Sequence, residues 1–350
     1  TDLSRGFSGI ILLEITLAAM AFHFIFQIPF YGLYGTDAYL DMASMQAILE
    51  SGRIAGVENY TQITSFFPVL HTLGAQLSLI TGIDYYNVAK WFPPLIGSLT
   101  IPMIYLLVRY LFKQEKAALL AALLFACIQH YAMFSSLFVR ETVALTLAIS
   151  SIYFFVSSRA SSHPITYRVL AILCLGGTIL AHHLTSLMLL LLLVIYWVFT
   201  LLVRLPSPEQ RLISGQEAPA HRMTLSFLLI GITGTLAWWL TNVNQPVQIG
   251  INFLSNLLDP SVWGLRTILD RDTVGFASLP NLRYYFLVYG SYVCYFLFGL
   301  ILLYKSFARR GHHYLETPVF TIYILVCGVL GFLSFFVLPA TIGGDRFLSF

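Results

Sequence analysis

Residues 7–30 read FSGIILLEITLAAMAFHFIFQIPF, an apolar run whose one charged residue is Glu14. About 20 apolar residues are enough to carry a helix across a hydrocarbon core. The backbone there must be helical, because lipid offers no partner for a bare N–H or C=O. The run is too long for a signal-peptide core and has no cleavage site, so it reads as a retained span. It decides the fold because the pattern returns at roughly 87–108, 117–135, 140–157, 168–181, 185–203, 223–241, 285–304 and 316–337. A transmembrane barrel would instead show short alternating segments between turns. The sequence therefore predicts an all-α, polytopic transmembrane helical bundle. It forms a single transmembrane domain over 1–350, with about nine spans and the start of another.

Composition agrees. Of 350 residues, 58% are hydrophobic and only 10% charged, with a mean hydropathy of +0.79. A soluble domain carries about 25% charged residues, so an ordinary soluble globule is excluded. A disordered chain is excluded by the high hydrophobicity. The net charge of +3 is spread too thinly for a basic stripe, so no nucleic-acid partner is expected. Cys127, Cys174, Cys294 and Cys327 all sit in apolar runs without metal-type spacing and read as small packing residues. The sequence opens at Thr1 rather than Met and stops inside an apolar stretch, so it is expected to continue.

Charge placement orients the chain. With the N-terminus cytoplasmic, Arg5, Arg109, Lys113, Lys116, Arg159, Arg168 and most of the other Lys and Arg residues fall inside, as the positive-inside rule requires. The turn 204–222 is then a solvated inner loop. The segments 30–86 and 242–284 become external loops. Lys90, Arg140 and Arg346 lie outside, together with most of the acidic residues, among them Asp37, Asp41, Glu141 and Asp345. On a chain so poor in charge, a carboxylate-rich outer face is where chemistry is expected.

The first external loop opens YGLYGTDAYLDMASMQAILESGRI (31–54). Thr36 is a plausible N-cap, 37–51 has amphipathic helical spacing, and Gly52 is placed to close the helix in the left-handed conformation. Asp37 and Asp41 are four apart and share one helix face. Acidic residues in a first turn also suit the helix dipole with no other purpose. The stretch SFFPVLHTLGAQLSLITG (65–82) reads as an interfacial amphipathic helix. In the later external loop, two short amphipathic helices break at Asp259–Pro260 and precede Asp270-Arg271-Asp272, a lid or acceptor-contact surface. Asn59-Tyr60-Thr61 is a glycosylation sequon.

An external Asp followed by an amphipathic helix ending ILESGRI (48–54) resembles the opening of the GT-C membrane glycosyltransferases. The following pieces are similar too: FFPVLHTLGAQLSLITGIDYYNVAKWFPPLIGSLTIPMIYLLVRYLF (66–112), KAALLAALLFACIQHYAMFSSLFVRETVALTLAISSIYFF (116–155) and ILAHHLTSLMLLLLLVIYW (179–197). The resemblance covers roughly 7–203 in order and, more loosely, the later external loop and the GGDRFLSF ending (343–350). It includes protein O-mannosyltransferases, aminoarabinose transferases and the catalytic subunit of oligosaccharyltransferase.

The resemblance implies a polyprenyl-phosphate-linked sugar donor, dolichyl phosphate among the carriers. It also implies a lipid, glycan or protein acceptor, and inverting transfer on the outer face of a cell membrane. Asp37 matches the acidic residue that opens the family's first external loop and is the expected catalytic base. A carboxylate at an apolar boundary is suited to taking a hydroxyl proton. Arg346, Lys90 and Arg140 are expected on the donor phosphate, which the planar guanidinium fork suits well. Asp41, His71 and Asp345 are expected on substrate. Asp37, Glu141 and His182 or His183 would make a mixed carboxylate–imidazole set for Mg or Mn. Arg140 and Glu141 could instead pair with each other at the membrane boundary. The rival readings are a multi-pass transporter or flippase and a structural scaffold. Midspan regions nearly free of charge argue against the transporter.

Overall fold

The computed structural model describes residues 5–29, 31–33, 35–54, 66–159, 161–202 and 219–242. The later external loop with Asp259, Asp270 and Asp272, the spans at 285–304 and 316–337, Asp345, Arg346 and the sequon at 59–61 lie outside the described residues. Ten helices follow in order: α1 (Arg5–Gln27), α2 (Thr36–Ser51), α3 (Val69–Thr81), α4 (Tyr85–Phe112), α5 (Glu115–Ala126), α6 (Gln129–Ser135), α7 (Arg140–Ser157), α8 (Pro164–Ala181), α9 (His183–Leu202) and α10 (Pro219–Asn242). No strand occurs among the described residues. Among the described residues, four helical segments are long and apolar enough to cross a membrane: Gly6–Gln27, Tyr85–Phe112, Pro164–Ala181 and Thr224–Thr241.

Local chemistry sets the helix ends. Gly52 and Gly82 close α2 and α3 in the left-handed region, at φ 67 and 69, where a side chain would be strained. Asp84 caps α4 by accepting from the Tyr86 N–H at 3.0 Å. Two details differ from the sequence reading. Thr36 is the first helical residue rather than the cap. Gly35 precedes it at φ 86, and no side chain caps the helix. The expected span at 117–135 is two helices, α5 and α6, interrupted at Cys127–Ile128. A hydropathy window averages across such a break and cannot see it.

The chain groups into two compact units, Thr1–Leu190 with Ser226–Val243 and Leu191–Leu225 with Asn244–Phe350. The first unit holds every feature described below. Within it α1 packs on α4 and α5, α7 packs on α4 and α8, and α2 packs on α3. One apolar core joins α1, α4 and α5 through Ile15, Ala19, Ile101 and Ala122. A second joins α2, α3, α4 and the turn before α7 through Met45, Leu70, Val88 and Phe138.

Between these cores runs a buried polar knot. His23 Nδ1–H donates to the Ala19 carbonyl at 2.6 Å, and Nε2 meets Ser135 Oγ at 2.7 Å. Ser135 also reaches the Tyr131 carbonyl at 2.7 Å, and the Tyr131 hydroxyl donates to the Gly97 carbonyl at 2.7 Å. The Gln27 amide donates to the Ser136 carbonyl at 2.5 Å. The knot fastens α1 to α6 and so to the turn that leads into α7.

Candidate functional site

The turn 136–139 ends in Val139, whose extended backbone (φ −129, ψ 150) delivers Arg140 and Glu141 as the first residues of α7. Adjacent helical residues point in different directions. Here the two charges each reach a different element. Arg140 Nε lies 3.2 Å from Asp41 Oδ1 on α2, and Glu141 Oε1 lies 3.1 Å from His182 Nε2 at the α8–α9 junction. Three distant sequence segments are thereby tied together by one dipeptide.

On the α2 side, Asp41 Oδ1 also accepts from His71 Nε2–H of α3 at 2.9 Å. Asp41 and His71 are each 1% exposed. A carboxylate so enclosed needs its charge balanced, and the Arg140 guanidinium and the His71 imidazole supply that balance. Asp41 Oδ2 is buried with no hydrogen-bond partner. Asp41 and His71 are thus enclosed together beside Arg140. Asp37 lies one helical turn earlier on the same face of α2 and is exposed.

On the other side, His182 performs two structural tasks. Its backbone N–H donates to the Thr178 carbonyl at 3.0 Å and ends α8. Its ring then caps α9, because the Thr185 backbone N–H donates to Nδ1 at 3.4 Å. A backbone N–H can only donate, so Nδ1 is the acceptor and Nε2 carries the proton offered to Glu141. His183 follows, its ring 4.7 Å from that of His182.

These details bear on the expected Mg or Mn set of Asp37, Glu141, His182 and His183. Among the described residues no three His, Cys, Asp or Glu side chains come together to hold a metal. Both nitrogens of His182 are engaged, and the carboxylate of Asp41 already faces a guanidinium. Of the expected set, Glu141 meets His182 and the His182 ring lies against that of His183. Lys90 sits 5.2 Å from the Trp91 ring centroid, a cation–π contact. Arg346 and Asp345 lie outside the described residues.

Two contributors carry no sequence signal of function. Phe67, fully buried, places its ring 5.9 Å from the Arg140 guanidinium carbon and 5.4 Å from the His183 ring. Trp238 of α10 donates its indole N–H to the Phe66 carbonyl at 3.0 Å. The run Phe66-Phe67-Pro68 immediately before α3 is the available hint, since paired aromatics ahead of a helix start suggest an anchored entry.

Two comparisons find similar known proteins. Residues 72–212 match the sequence profile of the dolichyl-phosphate-mannose-protein mannosyltransferase family. The structure is similar to the archaeal oligosaccharyltransferase AglB of Archaeoglobus fulgidus, solved with an inhibitory peptide and a dolichol-phosphate. The TM-score is 0.57 at 15% identity, over 96% of this chain and 48% of that one. The chain thus spans about half the length of that enzyme. No curated protein sequence matches significantly. At this identity the likeness is one of fold.

Proposed function

We propose that the chain transfers a sugar from a polyprenyl-phosphate donor, of the dolichyl-phosphate kind, to a lipid, glycan or protein acceptor. The whole of 1–350 acts as one transmembrane domain. Its N-terminus is cytoplasmic, and the Asp37–Arg140–Glu141 face is outside. The observation that carries this reading is the convergence of α2, the turn into α7 and the α8–α9 junction on the Arg140–Glu141 dipeptide. The family profile names a dolichyl-phosphate mannose donor. AglB, of the same fold, was solved with a dolichol-phosphate.

In the proposed reaction the acceptor oxygen attacks the anomeric carbon while the bond from that carbon to the phosphate oxygen breaks. The configuration inverts. The polyprenyl phosphate leaves with the electron pair, and the acceptor proton passes to the Asp37 carboxylate. Arg140, Lys90 and Arg346 offset the phosphate charge, a task for which a guanidinium gives paired parallel bonds. Asp41 and His71 hold Arg140 in place, and Asp345 meets the sugar. A lipid-linked donor suits a site at the bilayer boundary, since its tail stays in hydrocarbon while its head reaches α2.

Replacing Asp37 with Asn tests the reading. Loss of a positioned general base costs about 10²–10⁴-fold in rate. The variant should express and fold normally yet lose transfer from a dolichyl-phosphate-linked sugar. Transfer at a near-normal rate would remove Asp37 from the chemistry.

A further inference from the structure

We propose that Phe67 is a positioning residue that couples the two halves of the site, and that Trp238 seats it. The inference rests on the functional reading above for what it positions, but its geometry stands apart from that reading.

The coupling follows from where the ring lies. One side of Phe67 meets the Arg140 guanidinium, with the cation carbon 5.9 Å from the ring centroid, inside the range of a cation–π attraction. The ring also lies 5.4 Å from the His183 imidazole, tilted by 42°, in the spacing typical of aromatic pairs. Arg140 is tied onward to Asp41, and the His183 ring lies against that of His182, which holds Glu141. Phe67 therefore bridges the α2–α3 half and the α8–α9 half at the level of their side chains. It is fully buried, so any shift of its ring must displace one neighbour or the other.

A polar bond from a distant helix helps to hold it. Residues 66–68 precede α3, and the Phe66 carbonyl there accepts from the Trp238 indole at 3.0 Å. Trp238 reads from the sequence as an interfacial anchor, one of an aromatic pair at a span end. In the structure its N–H reaches the backbone next to Phe67. A small misplacement of catalytic groups costs up to about 10²-fold in rate, so a strut of this kind affects turnover without touching substrate.

The test uses the full chain in detergent or vesicles and three variants. F67L keeps apolar bulk but removes the π face. F67Y restores the face. W238F keeps an aromatic ring but removes the N–H. Two readouts are taken: kcat and KM for transfer from dolichyl phosphate mannose, and the imidazole NMR signal of His183, identified as the signal missing in H183Q.

F67L should lower kcat by about tenfold with the acceptor KM little changed, and should move the His183 signal. F67Y should recover most of both. W238F should move both in the same direction as F67L, by about threefold in kcat. Unchanged kcat and an unmoved signal in F67L overturn the proposal for Phe67. A W238F variant indistinguishable from wild type overturns it for Trp238. If the wild type transfers nothing, the functional reading fails, and the His183 signal alone decides: moved by F67L and W238F it supports the coupling, unmoved it refutes it.

Discussion

Two buried histidines, His23 and His71, sit in one unit of the same protein and show opposite logic. His23 on α1 meets a backbone carbonyl and the Ser135 hydroxyl, uncharged groups in a closed knot that fastens helices. His71 on α3 meets an ionised carboxylate that also holds Arg140, and one oxygen of that carboxylate, Asp41 Oδ2, has no hydrogen-bond partner. The first is a neutral network that packs helices, with Gln27 Oε1 its own spare acceptor, and the second is an ion-paired cluster. A charged cluster with a spare acceptor costs stability, which proteins spend where function requires it. The contrast is between neutral packing and buried charge.

The largest expected effect that sharpens this contrast comes from α2 itself. Asp37 and Asp41 share a helix face, but one is exposed and the other enclosed. Asp37→Asn should remove transfer and leave folding intact. Asp41→Ala should lower stability first, because it removes a buried carboxylate from beside Arg140 and His71, a loss of about 3–5 kcal/mol. Thermal unfolding in detergent beside a transfer assay checks both. Equal melting temperatures for the two variants would break the distinction.

His71→Leu comes next. It removes a donor from a buried charged acceptor, worth about 1.5–3 kcal/mol. His23→Leu should cost the least, about 1 kcal/mol, because Ser135 keeps the Tyr131 carbonyl and no charge is exposed. The two leucine variants are compared by their shifts in unfolding midpoint. A His23 variant more damaging than the His71 variant would contradict the assignment of the knot as scaffold.

Much of this architecture was legible from residue order. The apolar runs gave most helices, Gly52 gave the end of α2, and charge placement singled out the outer loops. Asp37, Arg140, Glu141 and His182 stood out because ionisable groups at span ends on so apolar a chain are few. Their partners were not legible. Asp41 and His71 lie thirty residues apart, and their pairing depends on how closely α3 approaches α2. Gly74 permits that approach, since a Cβ there would come 2.5 Å from Met45 Sδ. The surroundings of His182 were not legible either. His182 looked like a ligand by type, but its ring is used to cap α9, a local role that depends on where one helix stops and the next begins. Phe67 and Trp238 were invisible because aromatic residues in such a chain are ordinary packing until their neighbours are known.

The most direct measurement is a structure of the full chain with a bound polyprenyl phosphate. The account predicts the phosphate within hydrogen-bonding distance of Arg140 and facing the Asp37 carboxylate, with the lipid tail leaving toward the hydrocarbon. A phosphate seated elsewhere, with the α2–α7 clasp unchanged and out of reach, would contradict it.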